Sequence, residues 1–247
     1  MRDTVNILGV NVDKMSFNDA LDYAFGLCMS EGTSAIFTPN PEIIMCARED
    51  GELRDILNNA DLCTPDGIGV VYGAKILGEP VAERVPGFDL VCGLLEKLSK
   101  TGDGVFLFGA KPGVAEAAKA KMEETYPGIN VCGCHHGYFK EEDTPGIVKM
   151  INESGAKLLL VCLGAPKQEK WIAANRDALG VNLCMGVGGT LDVFAGTAKR
   201  APKIFIKLNL EWAYRILKNP SRIGRFMALP KFAFIVMGER VKGGKRK

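Results

Sequence analysis

The apolar run Leu158-Leu-Leu-Val-Cys-Leu163, with Gly164-Ala-Pro-Lys-Gln168 directly after it, is the clearest indication of fold class in this chain. Six consecutive apolar residues show none of the alternation of a strand with one face in water, so the run predicts a strand buried on both faces. Glycine and proline then mark a turn, and a helix is predicted from about Lys167. This order is typical of a parallel sheet between two layers of helices.

The same pattern of strand and following helix recurs along the chain. Further strands are predicted at Ala35–Thr38, Val105–Phe108 and Leu183–Val187. Helices are predicted after them from about Pro41, from about Gly113 and over Thr190–Ala195. The chain is therefore predicted to be an α/β protein with a mostly parallel, Rossmann-like sheet and helices on both faces. Ligands bind beyond the carboxyl ends of the strands in such folds, so functional residues are expected in the loops that follow them.

The overall composition is that of an ordinary globular protein. The chain has 247 residues, of which 47% are hydrophobic and 24% charged, which is enough for one sizeable core. The N-terminal residues lack the features of a signal peptide. The longest apolar candidate, Phe232–Met237, is far shorter than the ~20 residues of a membrane-spanning helix. We therefore expect a cytoplasmic protein.

The eight cysteines are predicted to be reduced. Six stand singly in apolar stretches, where a thiol behaves as a small core residue: Cys28, Cys46, Cys63, Cys92, Cys162 and Cys184. The other two lie in Cys132-Gly-Cys-His-His136, which raises the alternative of a zinc site because thiolates and imidazoles are zinc's preferred ligands. No second Cys or His pair follows at a zinc-ribbon spacing, so neither a metal nor another cofactor is predicted.

The C-terminal region differs in charge from the rest of the chain. Residues 203–247 contain twelve Lys or Arg against two acids, whereas the formal net charge of the whole chain is only +2. Apolar and basic residues alternate at helical spacing over Ile204–Lys218, before Asn219-Pro220. We predict an α/β catalytic domain over 1–200 and a helical, basic, membrane-docking appendage over 201–247. Such a basic region implies an anionic partner: nucleic acid, anionic lipid or a phosphorylated ligand.

Three predicted strands end in loops rich in glycine or proline: Phe108-Gly-Ala-Lys-Pro-Gly113, Leu163-Gly-Ala-Pro-Lys-Gln168 and Met185-Gly-Val-Gly-Gly-Thr190. Glycine lets backbone amides approach a ligand, and the following helix presents unpaired N–H groups, which together favour phosphate. The alternative to a phosphate site is that these loops are tight turns that pack each strand against the following helix. Three such loops with Lys111 and Lys167 nearby favour a nucleotide-diphosphate site. The dinucleotide fingerprint is incomplete and the Walker lysine is absent, which argues against NAD binding and ATP hydrolysis.

The segment Thr64-Pro-Asp-Gly67 places an acid in a turn, where Asp66 by itself is more often a turn former than a catalyst. Two further segments change this interpretation, namely Thr38-Pro-Asn-Pro-Glu42 and Arg84-Val-Pro-Gly-Phe-Asp89. A carboxylate near hydroxyl and amide groups, with an arginine to bind phosphate, fits general-base activation of a sugar hydroxyl.

These segments together resemble the WecG/TagA/CpsF family of bacterial glycosyltransferases. The resemblance extends over nearly the whole chain and also includes Phe106–Glu116, Gly137-Tyr-Phe139, Gly164–Glu169, Gly186–Asp192 and Arg200-Ala-Pro202. It implies an inverting transfer that needs no metal. The implied donor is UDP-activated N-acetylmannosamine or a close relative, and the implied acceptor is the 4-hydroxyl of N-acetylglucosamine on undecaprenyl diphosphate, in the synthesis of wall teichoic acid or a related surface polysaccharide.

The resemblance also implies roles for individual residues. The acid of the Thr-Pro-Asp-Gly motif looks like the catalytic base, which falls on Asp66. Contacts to donor and acceptor fall on Thr38, Asn40, Arg84 and Gln168. Nucleotide contacts fall on Gly186, Gly188, Gly189 and Asp192. Further substrate contacts are expected at Gly109, Lys111 and Tyr138, and phosphate contacts from the basic region at Arg215, Arg222 and Arg225, because arginine binds phosphate in a bidentate fork.

Two other classes of protein remain as alternatives. A nucleotide-dependent oxidoreductase would share the sheet but needs the complete glycine fingerprint. A nucleic-acid-binding module would use the basic region, but interleaved residues such as Phe205, Leu208 and Trp212 fit an interfacial helix better. We therefore expect an anionic membrane surface as partner, at the inner face of the cell membrane, and no nucleic acid. The sequence leaves open which N-acetylhexosamine is transferred and whether the protein is a homo-oligomer.

Overall fold

Strands and helices alternate along most of the chain in the computed structural model, which describes residues 2–218 and 228–244. The strands are β1 (Thr4–Ile7), β2 (Val10–Asp13), β3 (Ser34–Phe37), β4 (Leu62–Cys63), β5 (Gly104–Gly109), β6 (Asn130–His135), β7 (Leu158–Cys162) and β8 (Leu183–Gly186). Strands β3 to β8 form a six-stranded sheet in the order β4-β3-β8-β7-β5-β6, in which every pair is parallel. Strands β1 and β2 form a separate antiparallel hairpin.

The helices connect the parallel strands and continue beyond them. They are α1 (Phe17–Met29), α2 (Pro41–Glu49), α3 (Gly51–Asn58), α4 (Ile68–Leu77), α5 (Gly87–Thr101), α6 (Val114–Thr125), α7 (Thr144–Glu153), α8 (Lys167–Asn175), α9 (Thr190–Phe194), α10 (Lys203–Lys207), α11 (Glu211–Lys218) and α12 (Ala228–Gly244). Single 3-10 turns lie at Glu141–Asp143 and Arg176–Ala178. The predicted α/β fold with a Rossmann-like parallel sheet is confirmed.

The sheet is buried on both faces because its side chains alternate between two hydrophobic cores. Phe106 and Phe108 of β5 face the core formed with α2, α3, α4, α7, α8 and the β1–β2 hairpin. Val105 and Leu107 face the other core, formed with α1, α5 and α6. Each core gains stability in proportion to the apolar area removed from water, at about 25 cal/mol per Å². The uninterrupted apolar runs in the sequence follow from this two-sided burial.

The described part of the C-terminal region differs from the sequence prediction in one respect. The segment predicted as one helical stretch over Ile204–Lys218 is divided into α10 and α11, because Asn209 adopts a left-handed conformation with φ of 58°. Asparagine tolerates this conformation better than most residues. No helix among the described residues is long and apolar enough to cross a membrane.

Helix α12 packs directly on the sheet domain. Phe232 and Val236 are 2% and 0% exposed, and both belong to the core that contains the β1–β2 hairpin. Nη1 of Arg240 donates a 2.9 Å hydrogen bond to the carbonyl of Leu77, at the end of α4. The described part of the region over 201–247 is therefore attached to the sheet domain by buried side chains. The division into two units near residue 200 stays a prediction.

All eight cysteines are free thiols. Cys28, Cys63, Cys162 and Cys184 are buried as predicted, and burial raises the pKa of Cys28 to about 12. Cys46 is exposed on α2, so the prediction that it is a core thiol is wrong. The apolar neighbours of Cys46 in sequence, Ile44, Met45 and Ala47, occupy the buried face of the helix instead.

Candidate active site

A cavity of about 430 Å³ opens at the carboxyl edge of the sheet, beside β3 and β4. Its walls are the first turn of α2, the loop before α4, one face of α4, and residues of α11 and α12. Three residues that the sequence predicts for the site line it together, namely Asn40, Asp66 and Arg84. This edge is where ligands bind in parallel α/β sheets.

Asp66 lies in the loop between β4 and α4, and backbone hydrogen bonds hold this loop. The N–H of Asp66 donates to the carbonyl of Pro39 at 3.2 Å, which joins the loop after β4 to the loop after β3. The N–H of Gly87 donates to Oδ2 of Asp66 at 3.4 Å. The side chain is half-buried and lines the cavity. A carboxylate in this position can accept a proton from a hydroxyl group bound beside it.

Thr38 and Asn40 position the neighbouring loop. A Cβ atom at position 87 would lie 2.6 Å from Oγ1 of Thr38, so Gly87 is required where this loop approaches the start of α5. Thr38 therefore packs against the residue that donates to Asp66 and does not itself line the cavity. Asn40 caps α2, since its Oδ1 accepts a 3.0 Å hydrogen bond from the N–H of Ile43.

Arg84 forms an ion pair with the C-terminal region. Its Nη1 lies 3.7 Å from Oε2 of Glu211, the first residue of α11. The two side chains are 15% and 16% exposed, so the pair is largely removed from water. The guanidinium is a bidentate donor for phosphate, and it lines the same cavity as Asp66.

Gln168 lies farther along the edge, beneath the loop that follows β8. It is 3% exposed, and its Oε1 accepts a 3.0 Å hydrogen bond from the N–H of Gly188. A Cβ atom at Gly186 would lie 3.2 Å from Nε2 of Gln168, so this side chain packs against the glycine loop. It supports that loop and does not line the cavity.

Glu169 was not singled out by the sequence analysis, although it ends a quoted motif. It is 1% exposed, and its Oε1 accepts a 2.9 Å hydrogen bond from Nε2 of Gln168. Its Oε2 has no hydrogen-bond partner among the residues that the structure describes. Burial raises the pKa of the Glu169 carboxyl above its ordinary value, against the hydrogen bond from Gln168, which lowers it. The sequence alone does not show that Glu169, directly after Gln168, is buried.

The three glycine-rich loops lie side by side, because β8, β7 and β5 are adjacent in the sheet. The N–H of Ala110 donates to the carbonyl of Cys162, and the N–H of Val187 donates to that of Val161, each at 3.0 Å. The N-termini of α6, α8 and α9 therefore point toward one stretch of the edge, where helix dipoles favour an anion. Lys111 is exposed there, and Nζ of Lys167 lies 4.5 Å from the ring centroid of Phe139.

The remaining residues predicted for the site lie outside the cavity lining. Gly109 ends β5, Lys111 follows that strand and Tyr138 follows β6. Strand β5 is three strand spacings from β3, roughly 14 Å. Tyr138 is 65% exposed. Gly189 caps the N-terminus of α9, and Asp192 lies in its first turn, where its Oδ1 accepts a 3.2 Å hydrogen bond from Oγ1 of Thr197. The structure therefore spreads the predicted residues along the whole edge.

The three arginines predicted in the basic region are not placed in detail. Arg222 and Arg225 lie outside the described residues. Arg215 belongs to α11, and its side chain is not among those described. Their role as phosphate contacts stays a prediction.

The cavity also contains residues that sequence reasoning missed: Glu42, Tyr72, Glu211, Trp212, Leu229 and Phe232. Glu211 had a recognisable signal, since it is one of only two acids in a strongly basic region. Tyr72 lies on α4, a helix that was not predicted and that contains two glycines, which are weak helix formers. Phe232 begins the apolar run Phe232–Met237, which is too short to span a membrane and for which the sequence indicated no other role.

The Cys132–His136 segment forms no metal centre in the described part of the chain. No group of three or more His, Cys, Asp or Glu side chains there is arranged to hold a metal ion. Nδ1 of His135 lies 2.8 Å from the carbonyl oxygen of His136, and Sγ of Cys132 donates to the carbonyl of Val105 at 3.4 Å. Burial raises the pKa of the Cys134 thiol, which disfavours the thiolate that zinc would need.

Comparison with known proteins assigns the chain to a family. The model of the glycosyl transferase WecG/TagA/CpsF family matches residues 5–246. The chain belongs to the WecG/TagA/CpsF family. The resemblance inferred from the motifs is confirmed, and this family member is an enzyme, a glycosyltransferase.

Two relatives of this WecG/TagA/CpsF member come from Staphylococcus aureus, strains MW2 and NCTC 8325 / PS 47. Each is 37% identical over 245 residues, which cover 98% of this chain and 96% of the relative. Each is named N-acetylglucosaminyldiphosphoundecaprenol N-acetyl-beta-D-mannosaminyltransferase. The similarity therefore includes the C-terminal region as well as the sheet.

Two motifs of this WecG/TagA/CpsF member are joined directly in the structure. Arg200 of Arg200-Ala-Pro202 forms an ion pair with Asp89 and lies 4.6 Å above the ring of Phe88. Phe88 in turn stacks on Phe194 of α9, with ring centroids 5.3 Å apart. These contacts fix the start of α5, and with it Gly87, relative to the loop that follows β8.

Proposed function

We propose that this enzyme transfers N-acetylmannosamine, or a close relative, from a UDP-sugar to the 4-hydroxyl of N-acetylglucosamine on undecaprenyl diphosphate. The reaction would serve the synthesis of wall teichoic acid or a related surface polysaccharide. Support for the acceptor and the sugar comes from the names of relatives that are 37% identical over 98% of the chain.

One observation carries the mechanism: Asp66 and Arg84 line the same cavity at the carboxyl edge of the sheet. In the proposed step, the acceptor hydroxyl oxygen forms a bond to the anomeric carbon while the bond from that carbon to the UDP oxygen breaks. The hydroxyl proton passes to the carboxylate of Asp66. A single displacement of this kind inverts the anomeric centre.

The departing UDP carries negative charge that the protein must stabilise. Arg84 supplies a guanidinium in a site where its exposure is only 15%, so its interaction with a phosphate is weakly screened by water. The backbone amides of the glycine loop after β8 are a second source of stabilisation. Gln168 holds the N–H of Gly188 in that loop, which gives Gln168 a positioning role in the proposal.

The donor nucleotide is proposed to lie along the three adjacent glycine-rich loops. Asp192 and Gly189 at the start of α9 would contact it in the middle of the edge, with Gly109, Lys111 and Tyr138 at the far end. A nucleotide-sugar is an extended ligand, which is compatible with residues spread over roughly 14 Å of the edge. Arg84 and the helix N-termini supply the positive charge, so the proposed mechanism needs no metal.

The region over 201–247 is proposed to dock the enzyme on the inner face of the cell membrane. Ile204, Leu208 and Leu217 are 64%, 62% and 73% exposed, and Lys207 and Lys218 are next to Leu208 and Leu217 in the sequence. An amphipathic segment of this composition binds an anionic membrane surface, where a lipid-linked acceptor would be found. Arg215, Arg222 and Arg225 are proposed to contact the acceptor diphosphate.

A transfer assay tests the proposal. The purified full-length enzyme is incubated with labelled UDP-N-acetylmannosamine and N-acetylglucosaminyl-diphosphoryl lipid, with UDP-N-acetylglucosamine as the alternative donor. We expect a disaccharide-diphosphoryl lipid with inverted anomeric configuration from the first donor. Absence of product from every UDP-N-acetylhexosamine would contradict the proposal. Liposome co-sedimentation and a gel shift on duplex DNA separate membrane binding from nucleic-acid binding.

A further inference from the structure

The cavity changes in chemical character along its length. Its polar residues, among them Asp66 and Arg84, lie near the N-terminus of α4. Ile68, Tyr72 and Ile76 recur every four residues along α4, so they form a continuous apolar wall about 12 Å long. The opposite wall comes from α12, which contributes Leu229, Phe232 and Ala233. The result is an apolar groove between α4 and α12 that leads away from the carboxylate.

Two glycines of α4 allow this groove to form. A Cβ atom at Gly69 would lie 2.7 Å from Cγ of Pro41, and one at Gly73 would lie 2.9 Å from Cζ of Phe232. A glycine inside a helix costs about 1 kcal/mol relative to alanine, so these positions are explained by the close approach of α2 and α12. The two glycines place α12 against α4 and so build the second wall.

We propose that this groove binds the isoprenoid chain of the acceptor, an inference that rests on the proposed function. When the acceptor hydroxyl lies at Asp66, the acceptor diphosphate lies on the far side of the acceptor sugar from that carboxylate, and the atoms that follow the diphosphate belong to the lipid. They leave the polar end along α4, where the walls are apolar. Tyr72 is 57% exposed in the wall, and apolar surface of this kind gains free energy when an apolar chain covers it.

An isoprenoid chain bound in the groove can be distinguished from contact between α12 and the bilayer. Phe234 is 76% exposed on α12 but does not line the cavity, since it lies on the opposite side of the helix from Leu229 and Phe232. The two sides of α12 therefore allow a direct comparison. A bulky residue at Ala233 blocks the groove, and the same residue at position 234 leaves the groove open.

The test compares two acceptors that carry the same N-acetylglucosaminyl diphosphate. One has a polyisoprenoid chain and the other a short alkyl group, and both are assayed in the same detergent with the full-length enzyme. We expect Ala233→Trp and Tyr72→Ala to lower the ratio of kcat/KM for the isoprenoid acceptor to that for the short acceptor by about tenfold or more. Phe234→Trp should keep the wild-type ratio. An unchanged ratio in both groove variants would overturn the inference.

A binding measurement decides the question without catalysis. Trp212 lines the cavity and is one of two tryptophans in the chain, the other being Trp171, which is buried in the core. Its fluorescence can be followed during titration with farnesyl diphosphate or inorganic diphosphate, and Trp212→Phe identifies the signal. We expect farnesyl diphosphate to bind at least about tenfold more tightly than inorganic diphosphate. The ratio of the two Kd values should be smaller in Tyr72→Ala.

The two measurements separate the inference from the proposed function. Wild-type enzyme that transfers sugar to neither acceptor but binds farnesyl diphosphate preferentially contradicts the proposed reaction and supports the groove. Wild-type enzyme that transfers sugar to both acceptors but binds the two diphosphates with equal Kd overturns the groove alone.

Discussion

Arg84 and Glu211 form an ion pair that joins the sheet domain to α11, with Nη1 and Oε2 3.7 Å apart and both side chains about five-sixths buried. The arginine proposed to bind the leaving diphosphate is therefore also a structural link to the C-terminal region. A pair held in this way is partly shielded from water, so its members are expected to depend on each other energetically.

A double-mutant cycle measures this dependence. We expect Arg84→Ala and Glu211→Ala to show a coupling of about 1 kcal/mol in the free energy of unfolding measured with urea. The exposed pair Lys100–Glu96, 3.4 Å apart with both side chains about 70% exposed, is the matched control and should show a coupling near zero. Equal coupling in the two cycles would show that the buried position of the Arg84 pair has no energetic consequence.

The choice of base can be tested among the three carboxylates that line the cavity, namely Glu42, Asp66 and Glu211. Asp66→Asn should lower kcat by about 10²–10⁴-fold and leave the Kd for UDP unchanged, because only proton removal is lost. Glu42→Gln and Glu211→Gln are the matched variants and should lose much less. Near wild-type turnover in Asp66→Asn, or the largest loss in Glu42→Gln, would reject Asp66 as the base.

Transfer is expected to persist in the presence of EDTA. Arg84 and the N-termini of α6, α8 and α9 can neutralise a diphosphate without a divalent cation. The measurement is the initial rate before and after chelation, followed by addition of magnesium or manganese. A rate that falls on chelation and returns with either ion would contradict metal independence.

The buried carboxyl of Glu169 predicts a pH-dependent stability. Burial raises its pKa in the folded state, so the unfolded chain releases this proton first, near the ordinary value of 4.5. The contribution of this group to stability is therefore full below pH 4.5 and falls as the pH rises toward the folded-state pKa.

Glu169→Gln removes this effect and keeps an oxygen that can accept from Gln168. We expect the Tm of the variant relative to wild type to increase as the pH rises from 4 to 8. Glu153→Gln, at a side chain that is 67% exposed, is the control and should show no such trend. A Tm difference between Glu169→Gln and wild type that stays constant across this pH range would show that Glu169 titrates alike in the folded and unfolded states.

Point variants in the basic region separate substrate contact from membrane contact. Truncation near residue 200 should lower both liposome binding and activity, but it also removes Phe232 and Val236 from the core. Single changes to alanine at Arg215, Arg222 or Arg225 should reduce activity more than liposome binding. Changes at exposed Lys207 and Lys218 should mainly reduce liposome binding, by about 1 kcal/mol each. Equal effects from both groups would assign the arginines to lipid alone.

Local sequence patterns predicted β3, β5, β7 and β8 with the loops that follow them, but not β4 and β6. The run that became β7 has no polar residue, and only a strand covered on both sides satisfies that composition in water. Asp66 was predicted as a site residue because a turn motif occurred together with two other motifs. The helices α2, α6 and α8 begin where Asn40, Gly113 and Pro166 mark their starts, because capping and turn preferences depend on a few adjacent residues.

By itself, the sequence determined the α/β class and the family, and it singled out the Asp66 carboxylate as the candidate base. Only the tertiary structure decided what surrounds that carboxylate. Glu211 meets Arg84 across 127 residues of sequence, and Phe232 packs on Gly73 across 159, and no local preference encodes either contact. Gly69 and Gly73 lie inside α4, where only the close approach of α2 and α12 explains why these positions have no side chain. Such contacts depend on the simultaneous packing of distant elements, since close-packed interiors accept only side chains that fit neighbours from elsewhere in the chain.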